Sequence, residues 1–185
     1  MFQGNQLQKK LIINKKTLRL VYWKVSENTE KRWRNWRPMT KAKSRGQILW
    51  LSIDLCQNIY ETFSRKYGEV GLEPLPNFET RYPNRLESIL NSVQLKADLL
   101  NFNVPRIAAS YFVHFVRSQA HLNGNKRMGV IYTYVFLYLN GYDLLINQKF
   151  MFDLSLMVVT DDINEFEKIE DAVGGVFKGL VKKRK

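Results

Sequence analysis

Apolar residues recur at every third or fourth position through most of this chain, a spacing that predicts a series of amphipathic helices. The first predicted helix runs from Ser52, a candidate N-cap, to Tyr67, and Gly68 is expected to end it. Residues 68–84 contain two Gly and three Pro, which predicts an irregular loop. The next apolar pattern begins at Arg85 and indicates a second helix.

Four further helices are predicted after this pair, and together the six predict an all-α bundle around a central apolar helix. Pro105 stands in the first turn of one helix, where proline is favoured. Gly141 follows another, at the position where a left-handed C-cap residue is expected. The pair Gly174-Gly175 is expected to loosen or kink the last helix. The four helices span residues 104–117, 128–139, 148–159 and 163–180.

The start of the chain has a different pattern and predicts a basic arm. Residues 11–13 and 17–25 are rich in β-branched and aromatic residues, which predicts two short strands around a polar turn. Residues 1–50 hold 13 of the 29 Lys and Arg residues but two of the 17 acidic ones, so they carry most of the net charge of +12. The predicted parts are a basic arm, a helical body and a solvated basic tail, at residues 1–49, 50–181 and 182–185.

Arginines alternate with tryptophans in residues 31–45. Such a stretch can bind nucleic acid, because cations neutralise phosphates and indoles stack on bases. It can equally dock its tryptophans on the helical body with its cations in water, or bind an acidic partner protein. The sequence leaves these three interpretations open, since no nucleic-acid-binding fold is recognisable beside the stretch.

Composition limits the class of protein. Of the 185 residues, 45% are hydrophobic, so the chain can bury a core. The single cysteine, Cys56, excludes an internal disulfide and favours the cytoplasm. The longest apolar run, residues 130–139, is far shorter than the ~20 residues that cross a bilayer. We therefore expect a soluble, cytoplasmic protein with no membrane contact and no secretory signal.

The stretch with the most chemical content is the polar loop Leu122-Asn-Gly-Asn-Lys-Arg127, which precedes the apolar helix at 128–139. Backbone N–H groups and the positive end of the helix dipole make the start of a helix an anion-binding position. Lys126 and Arg127 add positive charge, and Gly124 allows a ligand to approach the backbone closely. The loop is therefore a predicted phosphate site.

The loop resembles the active-site motif of Fic/Doc (Fido) proteins, which runs His, Pro or apolar, Phe, any residue, Asp or Glu, Gly or Ala, Asn, Gly or Lys, Arg. The helix before the loop, the ending Phe136-Leu-Tyr-Leu-Asn-Gly-Tyr142 and the Pro-rich loop upstream follow the family order. The resemblance covers about residues 50–180 and implies the Fic/Doc helical fold, with the upstream loop as a flap over the site. The motif matches at four positions, Gly124, Asn125, Lys126 and Arg127.

Fic/Doc proteins transfer part of a nucleotide to a hydroxyl group of a target protein. The resemblance implies ATP and Mg²⁺ as cofactors, with the phosphates held by Asn125, Lys126, Arg127 and backbone amides. Lys126, and Val130 in place of a second arginine, resemble the Doc branch, whose members transfer the terminal phosphate rather than adenylate.

Three positions depart from the motif. Gln119 stands where the family has its catalytic His, and an amide has no basic lone pair near neutral pH. Asn123 replaces the acidic metal ligand and can bind Mg²⁺ only weakly, through its carbonyl oxygen. His121 replaces an inward-packing Phe and is a candidate to take over as base. Since a positioned general base is worth roughly 10²–10⁴-fold in rate, transfer is predicted to be lost or impaired.

The sequence supports three functional hypotheses. The first is a degenerate Fic/Doc-like protein that binds a nucleotide phosphate at the loop. The second is an active Doc-like toxin kinase or adenylyltransferase that acts on a target protein. The family's inhibitory helix signature is absent from the sequence, so restraint would come from a separate antitoxin, or be unnecessary because the site is already impaired. The third is a nucleic-acid-associated scaffold that uses residues 31–45.

Overall fold

The computed structural model describes residues 48–69, 74–80, 82–160 and 166–184. The predicted strands of the basic arm and the Arg/Trp stretch lie outside the described residues. Apart from Gly68 and Glu69, the described residues belong to one compact unit.

The described chain is mostly helical, with one short two-stranded sheet, so the all-α prediction is confirmed. In chain order the helices are α1 (Ile53–Glu69), α2 (Pro83–Leu99), α3 (Val104–Arg117), α4 (Asn125–Leu139), α5 (Gln148–Thr160) and α6 (Phe166–Leu180). A short 3₁₀ helix (Phe78–Thr80) precedes α2, and the two strands are β1 (Tyr142–Leu144) and β2 (Val181–Lys183). Within this part of the chain, no helix has the length and hydropathy needed to span a membrane.

Local signals explain where several helices begin. Ser52 Oγ accepts a hydrogen bond of 3.2 Å from a backbone N–H in the first turn of α1, as expected for an N-cap. Asn103 caps α3 in the same way, with a distance of 3.0 Å. Helix α2 begins at Pro83 rather than at Arg85, because proline is well tolerated in the first turn.

Glycine marks one of the predicted helix ends but not the other. Gly141 follows α4 with a φ of 82°, the left-handed conformation that was expected there. Gly68 does not end α1, which continues to Glu69. The helix thus extends two residues beyond its predicted end at Tyr67, because glycine weakens a helix without being forbidden in it.

Helix α3 lies at the centre of the bundle and packs on α2, α4, α5 and α6. Nine of its 14 residues are buried, so the helix is enclosed on most of its sides. Helix α4 approaches α3 closely at Gly129, where an added Cβ would lie 2.7 Å from Val116 Cγ2. The contact continues through rings, with 4.7 Å between the centroids of Phe115 and Tyr132. The pair α3 and α4 therefore carries the loop that joins them on a rigid base.

Helix α6 is held on α2 and α3 by charged and aromatic contacts. Lys96 Nζ lies 2.6 Å from Glu170 Oε2, whose side chain is fully buried. Arg106 donates a hydrogen bond of 2.7 Å to the backbone oxygen of Glu170. The His114 ring lies 4.5 Å from the ring of Phe166. These contacts fix the last helix along one face of α3.

The two strands form an antiparallel pair, with Leu144 opposite Val181. The side chains of Lys182 and Lys183 are exposed, but their backbone belongs to β2. Lys182 and Lys183, assigned from the sequence to a solvated tail, thus have exposed side chains on a paired backbone. Strands of three residues, one of them largely lysine, carry too little periodicity to be recognised in a sequence.

Leu49 and Trp50, which precede α1, contact the end of α4. The backbone N–H of Leu49 donates to Asn140 Oδ1 at 2.8 Å, and Asn140 Nδ2 donates to the Leu49 oxygen at 2.9 Å. The ring of Trp50 lies 6.5 Å from that of Phe136. Leu49, assigned to the arm from the sequence, is thus joined to the end of α4.

Candidate functional site

The predicted phosphate loop connects the end of α3 to the start of α4, and the side chain of Asn125 closes it. Asn125 Oδ1 accepts a hydrogen bond of 2.8 Å from the His121 N–H, and Asn125 Nδ2 donates one of 2.7 Å to the His121 oxygen. Both ends of this amide are therefore used to hold the loop backbone. The residue that the resemblance assigns to the phosphates shapes the loop in this structure.

Gly124 sets the direction in which α4 begins. Its φ is 81°, a conformation that glycine adopts without strain. An added Cβ would also lie 2.4 Å from Leu75 Cδ2. The Gly124 N–H donates to Asn123 Oδ1 at 2.6 Å, so the oxygen of Asn123 is turned toward the loop backbone.

The first turn of α4 has no side-chain cap among the described residues, whereas Asn103 caps α3. The first N–H groups of an α-helix have no partner within the helix, so those of α4 remain available to an anion. Lys126 is exposed in the same turn and Arg127 is half-buried beside it. Backbone donors and positive charge are thus concentrated at the start of α4.

Arg127 is fixed against a tyrosine of α1. Its guanidinium carbon lies 5.1 Å from the centroid of the Tyr67 ring, which is 4% exposed. Burial raises the pKa of the Tyr67 hydroxyl, and the positive charge and hydrogen bond of Arg127 partly oppose that rise. Burial also raises the pKa of Tyr60, again opposed by the charge of Arg127. The arginine therefore contacts the Tyr67 ring, and its charge also acts on the Tyr60 hydroxyl.

Gln119 is exposed directly after α3, and its φ of 47° is in the left-handed region. Arg85 Nη1 lies 3.4 Å from the Gln119 backbone oxygen, and its guanidinium carbon lies 4.8 Å from the centroid of the Tyr82 ring. The Tyr82 N–H donates to the Ala120 oxygen at 2.9 Å. The start of α2 is thereby tied to the beginning of the loop, beside the family's catalytic position.

His121 faces the core and is 3% exposed. Its ring centroid lies 4.7 Å from that of Tyr60 and 6.0 Å from that of Phe78. Its Nε2 lies 3.2 Å from the Tyr132 hydroxyl. This is the inward-packing aromatic position that the resemblance implies, and it argues against His121 as the base for a hydroxyl group bound outside the loop.

The loop side chains do not fit a Mg²⁺ site on their own. Within the described ranges, no group of three or more His, Cys, Asp or Glu side chains could hold a metal ion. Mg²⁺ is usually bound through one or two carboxylates together with substrate phosphates. Asn123 offers a neutral oxygen that already accepts the Gly124 N–H.

The structure separates the predicted site residues into three groups. Gly124, Lys126 and Arg127 lie together at the start of α4. The side chains of Asn123 and Asn125 form hydrogen bonds with the loop backbone. Gln119 lies at the surface, and His121 lies in the core. Four residues that contact the loop were not predicted from the sequence: Tyr67, Leu75, Tyr82 and Arg85. The sequence feature that could have indicated them is their position next to the Pro-rich loop or within it.

No protein-family model matches the sequence, and no curated protein matches it either. The resemblance to Fic/Doc proteins therefore stays a prediction that rests on the loop and on the order of its flanking helices.

Proposed function

We propose that this protein binds the phosphates of a nucleotide such as ATP at the start of α4, and that phosphate or nucleotide transfer at this site is lost or impaired. The observation that carries the proposal is the start of the helix itself. A left-handed Gly124 is followed by a first turn that no described side chain caps, next to Lys126 and Arg127.

This arrangement suits a polyphosphate for a physical reason. The unpaired N–H groups and the helix dipole attract an anion at the end of α4, and the effect is strongest within the first turn. Gly124 adopts the left-handed conformation that leads the chain into this first turn. Lys126 can supply a mobile positive charge, while Arg127 supplies a planar group suited to two phosphate oxygens.

The proposal of impaired transfer follows from the groups around the loop. Gln119 cannot accept a proton from a protein hydroxyl near neutral pH. His121 lies in the core, and Asn123 adds no negative charge for a metal ion. A chain with these features can hold a nucleotide while lacking the groups that activate the acceptor.

Thermal unfolding with and without ATP tests the binding. Lys126→Glu places a negative charge at the proposed site, and Lys178→Glu makes the same change at an exposed position in the last turn of α6. ATP at roughly 100 times its Kd stabilises a protein by about 2.7 kcal/mol. We expect ATP to raise the Tm of the wild type and of Lys178→Glu, but not that of Lys126→Glu or Arg127→Ala. Equal shifts in all four proteins, or none in the wild type, would contradict the proposal.

Label transfer tests the chemistry. The wild type is compared with the double variant Gln119→His/Asn123→Asp, using ATP labelled at the γ or the α phosphate, and growth arrest is measured on expression of each. Transfer by the double variant alone is the expected result. Transfer by the wild type would overturn the claim of impaired chemistry, and the position of the label would then separate phosphate from adenylate transfer. The partners implied are a cytoplasmic target protein or an antitoxin.

A further inference from the structure

We infer that Tyr67 of α1 is a positioning residue for the proposed phosphate site, because it holds the Arg127 guanidinium at the start of α4. The inference rests on the proposed function and deepens it. It adds to the site a side chain that lies 60 positions before Arg127 in the sequence.

One face of the guanidinium is held by the aromatic ring. The distance of 5.1 Å between the guanidinium carbon and the Tyr67 centroid is within the range of about 6 Å for a cation–π contact. Tyr67 is 4% exposed, so its ring is fixed by the core. The arginine is therefore attached to a rigid part of the molecule.

The guanidinium also lies against the turn at Gly124. An added Cβ on Gly124 would stand 3.5 Å from Arg127 Nη2 and 3.6 Å from Nε, which is ordinary van der Waals distance. The guanidinium thus lies beside the residue whose peptide precedes the first turn of α4. Because arginine carries five N–H donors, the contact with Tyr67 leaves donors for an anion bound at that turn.

Holding the arginine in advance should strengthen binding. A long side chain that is mobile in the unbound protein loses rotamer freedom when it contacts a ligand, which weakens the affinity. A guanidinium already fixed at the start of the helix avoids much of that loss. Tyr67 would then raise the affinity for phosphate without touching the ligand.

A double-mutant comparison tests this role by measuring the Kd for ATP at constant salt. Tyr67→Leu removes the ring and keeps an apolar side chain, and we expect it to raise the Kd roughly three- to tenfold. In the background of Arg127→Ala the same substitution should have no effect on the Kd. Tyr138→Leu is the matched control, because the centroid of the Tyr138 ring lies 3.8 Å from the Arg184 guanidinium carbon near the other end of α4. The control should leave the Kd unchanged.

A second measurement needs no ligand. The Nε–H signal of Arg127 in an NMR spectrum should be protected from solvent exchange in the wild type and in Tyr138→Leu, and lose protection in Tyr67→Leu. An unchanged signal in Tyr67→Leu would overturn the inference. An equal loss of ATP affinity with and without Arg127 would also overturn it, since Tyr67 would then act through the fold alone.

The failure of this inference can be told apart from that of the proposed function. If Arg127→Ala weakens ATP binding and Tyr67→Leu does not, the positioning role is overturned and the proposed function stands. If the wild type does not bind ATP, the proposed function is overturned and the phosphate role of Tyr67 with it, whatever the NMR signal shows.

Discussion

Gln119 carries a side chain in a backbone conformation that favours glycine, with a φ of 47°. In this region Cβ lies close to the following carbonyl oxygen, which costs an ordinary residue roughly 1–2 kcal/mol. We expect Gln119→Gly to raise the free energy of unfolding by about 0.5–1 kcal/mol, because the greater freedom of glycine in the unfolded chain offsets part of the relief. Urea denaturation measures the change. Gln119→Ala, which retains Cβ, should give no gain, and an equal gain with alanine would contradict the explanation.

The same conformation bears on the transfer experiment. Histidine is among the residues found more often than most in the left-handed region. Gln119→His should therefore fold as well as the wild type, and thermal unfolding of the double variant checks this before its activity is interpreted.

Some single-residue features of the site could be predicted from the sequence, and others could not. The left-handed Gly141 follows from its place after a helix C-terminus, whereas the same conformation at Gly124, before a helix N-terminus, was not predicted. The hydrogen bonds of Asn125 depend on the shape that the loop takes, and the contact between Arg127 and Tyr67 depends on how α1 packs on α4. Such contacts between distant residues leave no local pattern in a single sequence.

Gly174 in helix α6 allows close packing against Arg106 of α3. The pair Gly174-Gly175 was expected to loosen this helix, yet α6 runs unbroken from Phe166 to Leu180. An added Cβ at Gly174 would lie 2.1 Å from Arg106 Nη1, whereas one at Gly175 meets no described atom within 4 Å. The arginine of α3 thus crosses α6 at Gly174.

These two neighbouring positions should respond to alanine in opposite ways. Gly174→Ala should lower the free energy of unfolding by roughly 1–3 kcal/mol, because it displaces Arg106 from the backbone oxygen of Glu170. Gly175→Ala should raise it by about 0.5–1 kcal/mol, because alanine is the better helix former. Thermal and urea unfolding of both variants provide the measurement. A loss of stability in both would indicate that α6 tolerates no side chain on either face.

The side-chain amide of Asn140 joins the end of α4 to Leu49, which precedes α1. Asn140 bonds to both backbone groups of Leu49 and donates to the Phe136 oxygen at 2.8 Å. Asn140→Ala leaves those groups without this partner, so we expect the free energy of unfolding to fall by roughly 1–3 kcal/mol. Asn58→Ala is the control, because Asn58 is exposed and makes one local bond to the Asp54 oxygen; it should change stability by no more than about 0.5 kcal/mol. Similar losses in the two variants would argue against a special role for Asn140.

Helices were predictable as elements because each carries several turns of apolar periodicity. The strand β2 was not, because its partner β1 is distant in the sequence and only Val181 is buried in it. Pairing with Tyr142–Leu144 is therefore a tertiary effect.

For the whole molecule, His114 links stability to pH. Burial lowers the pKa of its imidazole, with the charge of Glu170 opposing and that of Lys96 adding to the shift. The unfolded chain therefore binds more protons than the folded one between the lowered pKa and the ordinary value of about 6.5. The free energy of unfolding should thus fall as the pH drops from about 7 through about 6.5.

Thermal unfolding across this pH range measures the effect. The difference in Tm between the wild type and His114→Gln should shrink as the pH falls, because the variant lacks the titrating ring. A difference that stays constant with pH would show that His114 contributes through packing on Phe166 alone.

For the molecule as a whole, the number and order of the described helices could be predicted from the sequence, but the way in which they pack together could not. Periodicity identifies the buried face of each helix, yet it does not state which helices share a face. The central position of α3 becomes clear only from its contacts with α2, α4, α5 and α6. Nor does the periodicity explain why Gly129 rather than another residue marks the closest approach of α3 and α4.

The burial of Cys56 means that chemical labelling of its thiol can measure local opening of the folded protein. Its thiol is the only one in the chain and is fully buried, and burial raises its pKa. The Cys56 backbone oxygen accepts a hydrogen bond of 3.3 Å from the Tyr132 hydroxyl, which ties α1 to α4. Because reagents attack the exposed thiolate, the rate of labelling under native conditions reports how often the structure around Cys56 opens to solvent. A nucleotide bound at the start of α4 should slow that labelling.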